Sequence, residues 1–223
     1  VGQSNWQTFG LVADGLFQSQ EEIDAWPKQK FGEVKPGDIR YIDINGDGVV
    51  DDYDKKPIGF PDVPEISYGF GASVRWKGFD VSIFFQGIDN VNFFINNSYT
   101  QPFIANKTRH SNVFADLYGN YWTEDNPDAK YPRLTIGSNT NNNQASTFWM
   151  VDGRYIRLKN AEIGYTLPKR ITSRAHIDRL RIYVSGVNLL TFSPFKLWDP
   201  DLQTGAAGYP NNRVYNIGAT LVF

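Results

Sequence analysis

Strict alternation of apolar and polar residues constrains the fold of this chain more than any other feature. Alternation is clearest in Ile66–Trp76, where every second residue is apolar or aromatic. Such a period of two predicts β-strands with two unlike faces. A further segment, Tyr155–Thr166, changes phase near Asn160, which predicts a β-bulge. The other alternating segments are Phe79–Gln86, Arg179–Ser185, Tyr215–Phe223 and, more weakly, a possible sixth strand at Trp6–Phe17.

The composition excludes several classes of protein. Hydrophobic residues make up 41% of the 223-residue chain, but no run approaches the roughly 18 apolar residues of a membrane-spanning helix. An aromatic content of 15%, with 20 Gly and 12 Pro, favours strands joined by turns. The net charge of -2 provides no basic field for nucleic acid. Because there is no Cys, disulfides, thiol nucleophiles and Cys-based zinc sites are excluded.

The connections between these strands alternate in length. A tight turn at Lys77–Gly78 precedes the long connection Gly87–Gly153, and a short turn at Leu167–Arg170 precedes the longer one at Thr191–Asn212. Short periplasmic turns and long extracellular loops are typical of transmembrane β-barrels. If Phe223 lies at the periplasmic rim, all the long segments fall outside the cell. These predicted extracellular loops are 18–65, 88–153 and 191–212.

Two all-β architectures fit the alternation, because any antiparallel sheet with one face on a core shows it. A secreted, calcium-stabilised β-sandwich that binds carbohydrate is therefore the alternative to a membrane barrel. The long connections are rare in compact domains and favour the barrel. Aromatic residues at the strand ends also suit the girdles at the membrane interfaces. These are Tyr68, Trp76, Phe79, Tyr155, Tyr165 and Phe223.

The segment Asp43–Asp54, DINGDGVVDDYD, predicts a calcium site. It matches the EF-hand loop at positions 1, 3, 5, 6, 7 and 9, with Asp at position 12 where Glu is usual. Gly48 permits the sharp bend, and calcium prefers such oxygen ligands. A turn without metal is the alternative, since Asn-Gly and Asp-Gly form turns anyway. The predicted ligands of a structural Ca²⁺ are Asp43, Asn45, Asp47, the carbonyl of Val49, Asp51 and Asp54.

Several blocks of the sequence closely resemble the C-terminal part of SusC/RagA-like TonB-dependent transporters. The first is Lys35–Gly87, which contains the calcium motif and the first two strands. The others follow in the expected order and extend the resemblance over most of the chain: Tyr121–Leu134 (YWTEDNPDAKYPRL), Trp149–Pro168 (WMVDGRYIRLKNAEIGYTLP) and Arg179–Phe192 (RLRIYVSGVNLLTF). The terminal Phe223 also resembles an outer-membrane assembly signal.

The resemblance implies that 1–223 are the C-terminal antiparallel strands of a large transmembrane β-barrel with long extracellular loops. It implies an outer-membrane location in a Gram-negative bacterium and import of glycans or peptides, powered by TonB. The implied partners are a SusD-like surface lipoprotein that acts as a lid, the remaining barrel strands and the plug. An open sheet in a membrane would leave an edge unpaired, so the chain is expected to need those strands.

Catalysis is not predicted. The only histidines, His110 and His176, fall on opposite sides of the membrane in this topology, which argues against a catalytic triad or a two-His metal site. Asn139–Asn143 is interpreted as an exposed loop tip. Three basic residues, Arg157, Lys159 and Arg181, are expected to face a polar lumen or form ion pairs. Loop aromatics that either bind a sugar or lid, or pack within the loops and at the membrane interface, are Trp122, Phe148, Trp149, Trp198 and Tyr209.

Overall fold

The computed structural model describes residues 2, 5–97, 100–101, 103, 114–204 and 208–223. These residues form two compact units. We call the described residues of 1–63, 91–152 and 203–206 the loop unit, and those of 64–90, 153–202 and 207–223 the sheet unit. Among the described residues, no helix is both long and apolar enough to cross a membrane.

The elements are numbered in chain order. The strands are β1 (Phe9–Gly10), β2 (Ala13–Leu16), β3 (Lys28–Gln29), β4 (Ile39–Tyr41), β5 (Val49–Val50), β6 (Lys56–Pro57), β7 (Ile66–Trp76), β8 (Phe79–Asp89), β9 (Asn92–Phe94), β10 (Met150–Asp152), β11 (Tyr155–Thr166), β12 (Arg179–Phe192) and β13 (Val214–Val222). The helices are α1 (Gln20–Ala25) and α2 (Lys169–Thr172), with 3-10 turns at Asp52–Asp54, Ser173–Ala175 and Pro200–Leu202.

The sheet unit is a five-stranded antiparallel sheet in the order β13-β12-β11-β8-β7. The register shifts between Leu158 and Asn160 against both neighbouring strands, which confirms the predicted bulge. Lys77 and Gly78, which join β7 to β8, have φ of 47° and 89°. Positive φ at both central residues matches the right-handed twist of a two-residue hairpin, so the predicted tight turn is also confirmed.

Four details of the strand prediction were wrong. Strands β8 and β12 continue past Gln86 and Ser185 to Asp89 and Phe192. Trp6–Phe17 does not supply a sixth strand to the large sheet, because its strands β1 and β2 pair with β6 and β4. The turn predicted at Leu167–Arg170 extends to Asp178 and contains α2. Pro168 ends the extended segment, since its fixed φ and missing N–H favour the first turn of a helix.

The loop unit is held by side chains more than by regular structure. Its strands make four two-stranded pairs, β1–β6, β2–β4, β3–β5 and β9–β10, of which β3–β5 is parallel. The stretches predicted as long loops therefore carry a packed core. Burial in this core offsets the conformational entropy that is lost when such long segments become ordered. The fully buried apolar side chains include Leu11, Phe17, Ile39, Tyr41, Val50, Val91, Phe93, Leu117, Tyr131 and Trp149.

Candidate functional site

The two faces of the five-stranded sheet differ in polarity. Residues directly opposite in the ladders share a face, so the register defines both surfaces. One face is apolar and exposed, with Val74 and Trp76 each 65% accessible and Ile217 84% accessible. Nothing in the described sheet unit covers it. Its members across the sheet include Ile66, Tyr68, Phe70, Val74, Trp76, Phe79, Val81, Ile83, Phe85, Ile156, Leu158, Ile163, Tyr165, Leu180, Ile182, Val184, Leu190, Phe192, Ile217 and Leu221.

The opposite face carries a charged network centred on Arg181. Its guanidinium binds both oxygens of Asp80, with Nε at 3.0 Å from Oδ1, and also lies 2.5 Å from Glu162 Oε1. The three residues come from β12, β8 and β11, so the network connects three neighbouring strands. Gly164 makes room for it, because a Cβ there would lie 2.6 Å from Arg181 Cζ. The interpretation of Arg181 as a residue of the polar face, held in ion pairs, is thus consistent with the structure.

Arg157 joins the end of β11 to the connection after β12. It is 2% exposed, and its two terminal nitrogens lie 2.5 Å from Asp199 Oδ1 and 3.2 Å from Asp201 Oδ2. Asn211 closes the cluster by donating to both aspartates. Burial opposes ionisation of Asp199, but the hydrogen bonds from Arg157 and from the N–H of Asp201 outweigh it and lower the pKa of that carboxyl. Lys159, by contrast, lies in the bulge.

A polar cluster in the loop unit surrounds the buried carboxylate of Asp38, which is paired with Arg133. The carboxylate is 0% exposed and accepts from Arg133 Nη2 at 3.1 Å and from the side-chain amides of Asn139 and Asn142, each at 2.9 Å. The N–H of Lys35 adds a fourth contact at 2.8 Å. A buried carboxylate requires this degree of pairing, since an uncompensated charge is strongly destabilising.

The prediction that Asn139–Asn143 is an exposed loop tip was wrong for Asn139, Asn141 and Asn142, which are buried, whereas Asn143 is exposed. Asn141 is 0% exposed and Asn142 is 3% exposed. Asn141 accepts from Gln29 Nε2 at 2.6 Å and donates to the carbonyl of Ile39 at 2.9 Å. Asn142 accepts from the N–H of Ile39, while its carbonyl accepts from Trp149 Nε1 at 2.6 Å. These amides supply the hydrogen bonds that irregular buried backbone lacks.

The predicted calcium loop is curled by its own side chains. Asp43 accepts from the N–H groups of Gly46 and Gly48 at 2.7 and 2.8 Å, and Gly48 has φ of 84°. Asn45 and Asp47 each accept from the N–H two residues further on. The described residues contain no group of three or more Asp, Glu or His side chains placed to hold one metal ion. The loop thus has the oxygen ligands of a calcium site, but its carboxylates do not point to one common position.

The end of the same loop is fixed by Asp54. Its carboxylate is 0% exposed and accepts the N–H groups of Ile44, Asn45 and Asp51 at 2.8, 3.2 and 2.8 Å. Asp51 is paired with Lys30 at 3.1 Å and accepts from the N–H of Tyr53. The N–H of Tyr53, and then Lys30, hold the pKa of Asp51 below its usual range. The two acids therefore have different surroundings, although sequence spacing treats them alike.

The remaining predicted residues fall into separate places. Trp122 and Trp149 are buried in the loop unit, at 9% and 0% exposure, so they pack within it. Trp198 lies against Phe195 in the sheet unit, with ring centroids 4.8 Å apart. Tyr209 is 81% exposed. Phe148 packs edge-on against Trp149, and His176 is exposed after α2, whereas His110 lies outside the described residues.

The sequence interpretation missed Asp38, Asn141 and Asn142 as the centre of the loop unit. A buried Asp is not marked by periodicity when it lies in an irregular segment. Its one local signal was the PGD turn at Pro36–Asp38, where the Asp38 carboxylate accepts the N–H of Lys35. The asparagines looked like a solvated tract because composition cannot distinguish a polar core from a polar surface.

Comparison with known proteins gave consistent matches, although a scan of protein-family models found none. TonB-dependent receptor P26 of Formosa agariphila is 30% identical over 239 aligned positions that cover 100% of this chain and 23% of that protein. TonB-dependent receptor SusC of Bacteroides thetaiotaomicron is 23% identical over 223 positions, covering 96% of this chain and 20% of SusC. The RagAB peptide transporter superposes with a TM-score of 0.68 at 21% identity, over 96% of this chain and 22% of that one.

These matches extend over nearly the whole chain, and the fold agrees with the sequence relatives. The chain spans about a fifth of the length of the curated relatives it matches. The five-stranded sheet accordingly is a segment of a larger β-barrel wall. The chain belongs to the SusC/RagA-like family of TonB-dependent receptors, of which it is a strand-forming segment.

Proposed function

We propose that this chain forms part of the wall and the outer loops of a TonB-dependent importer in a Gram-negative outer membrane. The proposal rests on the five-stranded sheet, which has one continuous exposed apolar face and one polar face with ion pairs. Strands β7 and β8 are 11 residues long each, and a tilted membrane strand needs about 9–11. An apolar face towards lipid and a polar face towards the lumen is the pattern of outer-membrane barrels.

A β-sandwich is disfavoured by the same observation. A sandwich core requires a second sheet about 10 Å from the apolar face, with its side chains interdigitated. In the described sheet unit the apolar residues are exposed, and a soluble protein rarely exposes an apolar patch of more than a few hundred Å². The open edges of β7 and β13 support pairing with the remaining barrel strands, because an unpaired backbone in lipid is costly.

The partners and substrate in this proposal come from the family. The remaining strands and the plug would belong to the same transporter, TonB would supply energy, and a SusD-like lipoprotein would act as the lid. The substrate class would be a glycan or a peptide. The RagAB peptide transporter shares the fold, but a likeness of fold does not assign peptides as the substrate of this chain.

The test is to measure the intact mass of the native protein and to identify the proteins that co-purify with it. We expect detergent extraction of outer membranes, followed by capture with an antibody to Tyr121–Leu134, to yield a polypeptide several times heavier than this 25.3 kDa chain. A lipoprotein should co-purify, and deletion of the gene should abolish growth on the imported substrate. A soluble monomer with the mass of this chain alone would contradict the proposal.

We also propose that the segment 43–54 binds a structural calcium ion. Four carboxylates, one amide and one carbonyl are the ligand types that calcium prefers, and the loop already bends at Gly48. The buried carboxylate of Asp54 accepts three loop N–H groups and has no Lys or Arg partner among the described residues, so it would have to release an N–H group to reach the ion. An ion would require Asp43 and Asp47 to turn from their loop N–H groups towards a common point.

Calcium is expected to slow amide hydrogen exchange in 43–54 of the full-length transporter. With a dissociation constant near 10⁻⁴ M, 10 mM calcium stabilises the bound form by about 2.7 kcal/mol, or about a hundredfold in exchange. Asp47→Ala should abolish the effect. Asp52→Ala is the matched control, because Asp52 is an exposed acid at a non-ligand position and pairs with Lys55. Equal loss in both variants, or no protection by calcium, would sink the proposal.

A further inference from the structure

We propose that a cavity beside Arg157 is a binding subsite for a carboxylate-bearing ligand, such as an acidic sugar or the free end of a short peptide. The cavity belongs to the sheet unit and has a volume of about 220 Å³. Drug-sized ligands occupy about 300–1,000 Å³, so this cavity accepts a single monosaccharide or amino-acid unit. Its lining includes the side chains of Arg157, Asn188, Lys196, Trp198 and Arg213.

Two buried polar atoms of residues that line the cavity have no hydrogen-bond partner in the described structure. They are Nε of Arg157 and Oδ1 of Asn188. Arg157 is 2% exposed, and its terminal nitrogens are already bound to Asp199 and Asp201. One atom is a donor and the other an acceptor, and leaving such buried groups unpaired is destabilising. A ligand hydroxyl or amide, which both accepts and donates, would pair with them after a small shift of the Arg157 and Asn188 side chains towards the cavity.

The backbone at Asn188 is held in an uncommon conformation. Asn188 has φ of 54° and lies in β12 where the register against β11 shifts. Non-glycine residues with positive φ and β-bulges both concentrate beside functional sites, where they direct a side chain. Here the bulge places the Asn188 amide on the cavity wall, while its Nδ2 donates to the carbonyl of Asn212 at 3.1 Å.

The charge of the cavity selects an anion. Its lining contains three cations, Arg157, Lys196 and Arg213, and one carboxylate, Asp199, but Arg157 is neutralised by Asp199 and Asp201. Asp199 is already paired with Arg157, whereas Lys196 and Arg213 are exposed and make no ion pair with any described carboxylate. Two unpaired cations at the opening attract a carboxylate, and Trp198 offers an aromatic wall to the rest of the ligand. Assigning this ligand to the imported substrate rests on the proposed function, but the site itself does not.

Direct binding to the full-length detergent-purified transporter tests the site independently of transport. The probes are D-galacturonate against D-galactose, and a dipeptide acid against its C-terminal amide, followed by calorimetry or ligand-observed NMR. We expect at least one acid to bind at least tenfold more tightly than its neutral counterpart, and the pair that responds identifies the ligand source. If neither acid binds, or if each neutral counterpart binds as tightly as its acid, the subsite is overturned. The results on the mass of the native protein and on uptake would not be affected.

Variants separate the cavity from general charge. Asn188→Gly removes Oδ1 and keeps the positive φ, which glycine adopts freely, so the fold should be retained. It should weaken binding of the acid at least fivefold, and the double variant Lys196→Gln/Arg213→Gln at least tenfold with reduced dependence on salt. Lys56→Gln is the control, because Lys56 is an exposed lysine of the loop unit that does not line the cavity. An equal loss in that control would also overturn the assignment.

Discussion

Replacing Asp38 by alanine is expected to unfold the loop unit locally while the barrel remains inserted. The carboxylate pairs with Arg133 and receives the side-chain amides of Asn139 and Asn142, all of them inside a unit with little regular structure. Removing one partner of a fully buried ion pair costs about 3–5 kcal/mol, and water offsets part of that cost here because Arg133 is 24% exposed. The two amides lose their acceptor as well, which adds to the loss in the same direction.

Hydrogen exchange followed by mass spectrometry resolves this local event in the full-length transporter. Peptides from 28–41 and 133–150 should exchange at least about a hundredfold faster in Asp38→Ala, since about 1.4 kcal/mol corresponds to a factor of ten. Peptides from β8 and β11 should keep their protection. Asp38→Asn should lose less, because the amide oxygen still accepts.

Glu33→Ala provides the control for loss of an acid in the same segment. Glu33 is 79% exposed and pairs only with Lys35, so its removal should change exchange by less than about 1 kcal/mol. If Asp38→Ala exchanges no faster than Glu33→Ala, the buried cluster does not hold the loop unit together.

The sheet was predictable from the sequence because its chemistry repeats every two residues. Ile66–Trp76 was predicted with the correct bounds, and the phase change near Asn160 located the bulge. Each strand has one face that must be apolar, and the sequence records that requirement directly. The ends of β8 and β12 were missed because they run past the alternating part to Asp89 and Phe192.

The loop unit was less predictable because its order depends on contacts distant in sequence. Asp38 contacts Arg133 and Asn142, which lie about a hundred residues further along the chain, and no local sequence pattern predicts such contacts. The phase change near Asn160 predicted the register shift, but not the positive φ of Asn188 on the neighbouring strand β12. The same limit applies to Arg157, whose spacing placed it on the polar face without indicating its two aspartate partners.

Introducing arginine at Ile83 is expected to prevent stable insertion of the barrel, whereas arginine at the adjacent Ser82 should be tolerated. Ile83 lies near the middle of β8 on the exposed apolar face, opposite Ala72 and Ala161. A cation on the lipid face of a barrel costs about 2–4 kcal/mol at the bilayer midplane. Ser82 belongs to the polar face and lies opposite Glu162, so an arginine there has a carboxylate within reach.

The measurement is folding of the full-length transporter into lipid vesicles. Folding is monitored by the heat-modifiable mobility of the barrel on SDS gels and by urea titration. Ile83→Arg should lower the free energy of unfolding by at least about 2 kcal/mol, while Ser82→Arg should stay within about 1 kcal/mol of the parent. The two positions differ by one residue along the same strand, so strand propensity and added charge are matched. If both variants lose the same stability, the apolar face does not meet lipid. If Ser82→Arg is the more damaging, the two faces are assigned the wrong way round, because the side-chain period of two leaves no third arrangement.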